Sequence, residues 1–292
     1  LKNDGTPYLV YTPYSKIWKQ KLESKHLSNH SINKYKSNFK KFDKKESMIS
    51  IKNIGFIYNE NLKLEKQLDF AVIKNYEKTR DYPAQNGTSN MSVHLRFGTV
   101  SIREIVSDAL ELNEKYLNEL IWREFFMSIL YHFPETSFNN FHKKYDKLEW
   151  RNNVIEFQKW CDGQTGYPLV DAGMRELNET GLMHNRVRMV VSNFLTKLLL
   201  IDWRWGEEYF AKKLLDYEMS SNVGNWQWAA GTGVDAAPYF RIFRPELQLE
   251  KFDKNLVYVK KWIPEYKEHY LEPIVDYKFA RERALNAYKS IM

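Results

Sequence analysis

Hydrophobic positions recur at intervals of three and four along most of the chain beyond residue 60, the spacing of one face of a helix. Ile105, Ala109, Leu110 and Leu112 follow Ser101-Ile-Arg-Glu104, a pattern whose hydroxyl and carboxylate can cap a helix start reciprocally. Leu117, Leu120, Ile121, Phe125 and Ile129 continue the period over 115–131. The same spacing predicts helices over 168–180 and 184–201, and a shorter one over 207–217. No alternating run of β-branched residues is long enough to build a sheet, and no fixed repeat is present. The expected fold is all-α, a single helical domain over 61–292 with long loops at 81–87 and 226–245.

Residues 1–60 read as a connecting segment. Pro7 and Pro13 mark turns, and 21–52 is poor in large apolar residues and rich in Lys, Ser and Asn, which predicts a solvated loop. His26 and His30 stand at helical spacing there. A zinc site needs three or four ligands and no third is near, so both are read as surface histidines and no metal is expected.

Composition adds further constraints. Among 292 residues, 43% are apolar and 28% charged, as in ordinary globular proteins. Lys and Arg number 44 against 37 Asp and Glu, and this excess of +7 suits an anionic partner. Aromatics reach 15%, with 9 Trp and 19 Tyr, a surplus able to stack on flat ligands as well as fill a core. The lone Cys161 excludes an internal disulfide and a Cys-cluster metal site, and points to a reducing compartment, the cytoplasm. The most apolar stretch, 187–201, is broken by Arg188, Asn193 and Lys197, so no membrane span is expected. A chain that opens at Leu1 in ordinary sequence is expected to be a piece of a longer protein.

Several clusters could carry chemistry. Gly87-Thr-Ser-Asn-Met-Ser92 precedes a helical segment, where small hydroxyls and free N–H groups can hold a phosphate, though such residues more often only cap. Arg188 and Asp216 lie in apolar surroundings and predict an ion pair, either structural or aimed at a cofactor ring. Glu119, Trp122 and Arg123 share one helical face, joining a carboxylate, an aromatic plane and a guanidinium; the plain alternative is an amphipathic helix with Trp122 in the core. Asn222-Val-Gly-Asn-Trp226-Gln-Trp228 reads as a polar turn bearing two tryptophans.

Taken in order, further segments narrow the field: Tyr76-Glu-Lys-Thr-Arg-Asp-Tyr-Pro83, Asn118-Glu-Leu-Ile-Trp-Arg-Glu-Phe125, Thr165-Gly-Tyr-Pro168, Met183-His-Asn-Arg-Val-Arg-Met189, Asp202-Trp-Arg204, Gly224-Asn-Trp-Gln-Trp-Ala-Ala230 and Asp235-Ala-Ala-Pro-Tyr-Phe-Arg-Ile-Phe243. Together they resemble the photolyase/cryptochrome family, specifically the C-terminal helical FAD-binding domain of its class I cyclobutane-pyrimidine-dimer photolyases. The resemblance implies that the N-terminal α/β antenna domain lies outside this chain, so no antenna pigment is expected here.

The resemblance also implies roles. Tyr76, Thr88, Ser89, Asn90, Met91 and Ser92 would hold the ribityl–phosphate part of FAD, with Tyr116 on the neighbouring wall. Arg188 and Asp216 would pair beside the flavin ring, with Glu218 near it and Asn222 facing its N5. Trp122 and Trp228 would sandwich a flipped pyrimidine dimer whose bases meet Glu119, Asn185 and Met189. Arg80, Arg123 and Arg186 are candidates for the DNA backbone. Trp226, Trp203 and Trp150 match a tryptophan chain that carries an electron to the flavin. The implied activity is light-driven splitting of dimers in DNA by reduced FAD, in a monomer associated with the nucleoid when bound. The alternative is a blue-light photoreceptor of cryptochrome type. Asn185 and Met189, where (6-4) photolyases carry histidines, together with Asn222 and Trp228, point to dimer repair. Leu182 and Arg244 depart from the family's usual aromatic residue and Asn.

Overall fold

A computed structural model describes residues 1–28, 31–41, 47–57, 64, 66–267 and 270–292. His30 lies outside the described residues. Among them there is no strand, and eight helices have nine residues or more: α1 Tyr11–Lys21, α2 Ile102–Leu112, α3 Glu114–His132, α4 Pro168–Thr180, α5 Asn185–Asn193, α6 Trp203–Lys213, α7 Met219–Ala230 and α8 Tyr277–Lys289. Helix α1 packs on α3 through Tyr11 and Tyr14, so the aromatic start of the chain is joined to the helical body.

The periodic stretches become helices close to where the pattern places them, and their ends follow local polar chemistry. Helix α3 begins at Asn113, whose side-chain oxygen accepts from the N–H groups of Lys115 (2.9 Å) and Tyr116 (3.1 Å). Such a cap contributes about 1 kcal/mol. The Ser101–Glu104 pair forms no box, because the Ser101 side chain makes no capping bond. Helix α6 starts four residues before the expected 207, since the Asp202 carboxylate accepts from Arg204 N–H at 3.0 Å and ends the preceding segment there. The stretch predicted over 184–201 is α-helical only to Asn193 and continues as one π-helical segment, Phe194–Leu198.

The largest correction concerns 222–230. The expected turn and the start of the expected loop at 226 are helical, forming most of α7, so the loop begins only at Gly231. The Glu218 carboxylate makes this helix start: it accepts from the N–H groups of Ser220 (3.0 Å) and Ser221 (2.9 Å) and from both serine hydroxyls. The helix ends at Gly231, whose φ of +77° suits glycine, and the Ala230 carbonyl accepts from Lys197 Nζ and the Tyr288 hydroxyl, each at 2.6 Å. Gly224 is no turn residue. A Cβ there would lie 2.2 Å from Phe126 Cδ1 of α3, so the missing side chain lets two helices approach.

The main core holds Trp160, Met174, Val187, Leu195, Trp203 and Trp226, all buried, and draws on α4 to α7. A second core, including Tyr76, Ile105, Tyr116 and Ile121, joins α2 to α3. Helix α7 touches α3, α5 and α6, which places it between the two.

The Gly206 position of α6 is as tight as Gly224, with an added Cβ 2.1 Å from Trp226 Cη2. Gly206→Ala should therefore cost about 1–3 kcal/mol by overpacking, seen as a lower midpoint in urea. An unchanged midpoint would mean that the Trp226 indole moves aside freely.

Candidate functional site

Where α3 and α5 separate on either side of α7 there is a cavity of about 470 Å³. It falls within the range usual for small-ligand sites. Arg80, Ser92, Tyr116, Glu119, Trp122 and Arg123 line one side, and Asn185, Arg188, Met189, Asp216, Glu218 and Trp228 the other. A smaller recess of about 100 Å³ shares Arg188, Asp216 and Trp228 and adds Asn222 and Trp226. Residues from position 80 to position 228 are thus gathered around one space.

At the back lies an ion pair. Arg188 donates to Asp216 at 2.8 Å and, through Nε, to the Met183 carbonyl at 2.7 Å. Burial pushes the Asp216 carboxyl up, but the Arg188 guanidinium, together with the nearby Ser92 hydroxyl and its own backbone N–H, outweighs this and holds it below the ordinary carboxylate value. Asp216 is 6% exposed, and its second oxygen, Oδ1, has no hydrogen-bond partner in the described residues. Buried polar atoms are rarely left unsatisfied, so this oxygen marks a place for a ligand donor. Tyr116 carries a second buried, unpartnered oxygen; burial raises its phenol, with the neighbouring Ser89 hydroxyl acting against the rise.

Asn222 is fixed by its own amide, whose Nδ2 donates to the Glu207 carbonyl (3.1 Å) and carboxylate (2.9 Å). Glu218 lines the cavity, yet its carboxylate is spent on capping α7, and these bonds outweigh burial and lower its carboxyl. Trp122 is stacked face to face on Tyr11, with centroids 3.7 Å apart and planes within 3°. Tyr11 was not legible as a site neighbour; 111 positions separate the two rings. Its hydroxyl donates to the Asn118 carbonyl at 2.9 Å.

The other expected residues stand further back. Tyr76 and Met91 are buried, and Tyr76 packs edge-on against Tyr116 at 5.1 Å. Thr88 bonds Asn90 at 3.3 Å, Ser89 accepts from Met91 N–H at 3.3 Å, and Asn90 has a φ of +54°. Arg186 turns away to Asp81 (2.8 Å) and the Phe252 ring (4.3 Å). Trp226 meets Trp160 edge-on at 6.1 Å, an aromatic that the motifs do not single out. Trp203 is fully buried and donates to Asn140 at 2.9 Å, while Trp150 lies edge-on to Tyr288 at 6.5 Å. Leu182 packs in the turn after α4, bonded by its N–H to Thr180 at 3.0 Å. Arg244 precedes the Pro245–Phe252 helix without capping it and instead reaches Glu246 at 3.5 Å.

Residues 116–269, which carry most of this site, match the FAD binding domain of DNA photolyase. The chain belongs to the DNA photolyase family. It is 36% identical to the deoxyribodipyrimidine photo-lyase of Alkalihalophilus pseudofirmus, the match covering 99% of this chain and 69% of that protein. It is 44% identical to the enzyme of Vibrio cholerae, over 75% of this chain and 52% of that protein. Its fold matches a bacterial class III photolyase from Agrobacterium tumefaciens with a TM-score of 0.85 and 33% identity, covering all of this chain and 70% of that one. A Synechocystis cryptochrome matches at a TM-score of 0.68 and 32% identity, over 74% of this chain and 52% of that one. The chain therefore spans between half and seven-tenths of the length of these relatives. With a class III enzyme among the structures that match over the whole chain, these likenesses establish the family and not the class I subdivision.

FAD is the cofactor of this domain, and the residues present fit it. A guanidinium donor beside a carboxylate with one free oxygen suits the alternating acceptors and donors of a flavin ring, and Tyr116 and Ser92 offer hydroxyls along the adjoining wall. Asp216→Asn should weaken FAD retention by at least about tenfold, the worth of a hydrogen bond to a charged group, as measured by flavin absorbance after dialysis.

His184 adds a pH dependence. Burial pushes its imidazole down to about 4 from 6.5, with Asp81 acting against and three nearby arginines acting with the shift. Its Nδ1 accepts from Arg186 N–H at 3.2 Å, and Nε2 is buried without a partner among the described residues. A group neutral when folded but free to protonate when unfolded removes stability as pH falls from 6.5 towards 4. His184→Gln should flatten that loss in urea midpoints taken across the window.

Proposed function

We propose that this chain splits cyclobutane pyrimidine dimers in DNA under blue light. The observation that carries the reading is the composition of the cavity wall. Trp122 and Trp228 provide two indole planes, and Glu119, Asn185 and Met189 lie with them around the same space that Arg188 and Asp216 close at the back. A dimer within a duplex cannot reach a recessed site, so it must be flipped out, which is easier where damage has weakened stacking and pairing.

Each residue then has a task. The indoles hold the flipped bases by stacking, a contact worth about 1–3 kcal/mol per base. Asn185 and Glu119 offer hydrogen bonds to base edges. Asn222, with its Nδ2 held by Glu207, presents its oxygen to the recess and brings no acidic proton there. Arg80 and Arg123 stand at the rim for backbone phosphates. Trp226 at the recess, Trp203 and Trp150 are assigned to pass an electron inward, since tunnelling falls steeply with distance and short steps outrun one long jump. FAD, reduced and bound, supplies the light-driven electron that opens the dimer's ring.

The curated relatives cited above are photo-lyases, which favours repair over a purely sensory role. Under blue light with reductant, a dimer-containing oligonucleotide should regain thymine absorbance at about 260 nm. Trp122→Ala should weaken dimer affinity by about 5- to 150-fold while FAD stays bound. Bound, photoreducible FAD with no thymine recovery would instead support the photoreceptor reading.

A further inference from the structure

Helix α1 precedes the helical body in the chain, yet its first residue reaches the cavity wall from behind. The Tyr11 ring lies flat on the Trp122 indole, with centroids 3.7 Å apart and planes within 3°. Trp122 lines the cavity and Tyr11 does not, so the tyrosine backs the indole from outside the ligand space. Phe125 stands edge-on to both rings, 6.0 Å from Tyr11 and 5.5 Å from Trp122, and borders the stack.

Two hydrogen bonds hold the tyrosine in place. Its backbone N–H donates to the Asp235 carboxylate at 3.0 Å, in the loop that follows α7. Asp235 has a φ of +45°, uncommon for a residue with a side chain, so the loop is sharply bent where it meets Tyr11. The Tyr11 hydroxyl donates to the Asn118 carbonyl at 2.9 Å. By helix geometry that same carbonyl receives the N–H of Trp122, one turn further along α3. A ring tied to α3 at one end and to the loop at the other cannot turn without breaking a bond. The indole stacked on it shares that fixed plane.

A base that stacks on a mobile indole must first immobilise it, and the freedom lost subtracts from affinity. A second aromatic ring on the far face does this beforehand, and aromatic pairs contribute beyond the area they bury. We propose that Tyr11 is a positioning residue for dimer recognition: it fixes the Trp122 indole in one orientation before a flipped base stacks on its cavity side. The inference rests on reading the cavity as the dimer pocket. It makes α1 part of the recognition machinery and not only a connection to the helical body. Undamaged DNA, which places no base against the indole, gains nothing from the stack.

The test is a double-mutant cycle on the FAD-loaded chain. Dark binding is measured for a duplex bearing one thymine cyclobutane dimer and for the same duplex undamaged. Tyr11→Leu removes the plane and should weaken dimer binding about two- to tenfold, the worth of an aromatic pair, with undamaged binding and FAD content unchanged. Tyr11→Met, whose flexible chain fills more of the space, should show the same loss and guards against a leucine variant that fails to fold. Tyr11→Phe keeps the plane and the backbone anchor, so its affinity should stay within about twofold of the parent. In the Trp122→Ala background, Tyr11→Leu should have no further effect on dimer binding. Near-ultraviolet circular dichroism gives a readout without DNA: the change caused by Tyr11→Leu should shrink in that background. The proposal is overturned if Tyr11→Leu and Tyr11→Met leave dimer affinity as it was, or lower it equally without Trp122. It is also overturned if both duplexes lose affinity alike, or if Tyr11→Phe is no better than Tyr11→Leu. A loss in Trp122→Ala but not in the Tyr11 variants contradicts only the role of Tyr11. Full dimer affinity in Trp122→Ala contradicts the dimer pocket, and this inference with it.

Discussion

Helix α7 sits so close to its neighbours that at two points there is no room for a methyl group. Gly224 leaves space for the Phe126 ring of α3, and Gly206 of α6 leaves space for the Trp226 indole of α7. The other features of the site depend on this approach. It brings Trp228 of α7 into the same space as Glu119 and Trp122 of α3, with Asn222 and Trp226 in the adjoining recess. A wider separation would break the cavity into an open cleft. Both ends of the helix are fixed by side chains: its own N-cap Glu218 at the start, and Lys197 with Tyr288, from elsewhere in the chain, at its last carbonyl. The negative charge at the start also matches the helix dipole, while burial pushes the Lys197 amine well down from its ordinary value.

Charge within the site is arranged to be nearly spent before any ligand arrives. Arg188 is paired with Asp216, Arg80 with Glu119, and Arg186 with Asp81. Pairing offsets part of the cost of desolvating such charges, and leaving either member without its partner would be costly. Among the described residues that line the cavity, the buried side-chain atoms left without a partner are the Asp216 Oδ1 oxygen and the Tyr116 hydroxyl. The chain's excess of +7 therefore attracts an anionic polymer at long range, while the pocket itself presents hydrogen-bonding groups and aromatic faces.

The helical class and most helix positions could be read from hydrophobic period, because burial of one face dominates where a helix forms. Boundaries were less legible. Ser101 looks like a cap and does not act as one, whereas Asp202 and Glu218 cap helices that the period placed late or missed. The error at 222–230 came from reading Gly224 as a turn residue, when its value lies in close helix approach, a tertiary property. Motif resemblance named most residues that line the cavity, missing Leu95, Arg96, Phe126, Ser221 and Asn225, but not how they are partnered. The Tyr11–Trp122 stack and the Arg80–Glu119 and Arg186–Asp81 pairs join residues 39 to 111 positions apart, and local spacing carries no trace of them.

The central claim is that one cavity receives both the flavin and the flipped dimer. It is tested most directly by recording the absorption spectrum of bound FAD in the dark while a dimer-containing duplex is added. Shared occupancy predicts a change in the flavin bands that saturates at one dimer per chain and is absent with the undamaged duplex. A flavin spectrum unmoved by saturating dimer, or moved equally by undamaged DNA, would contradict it.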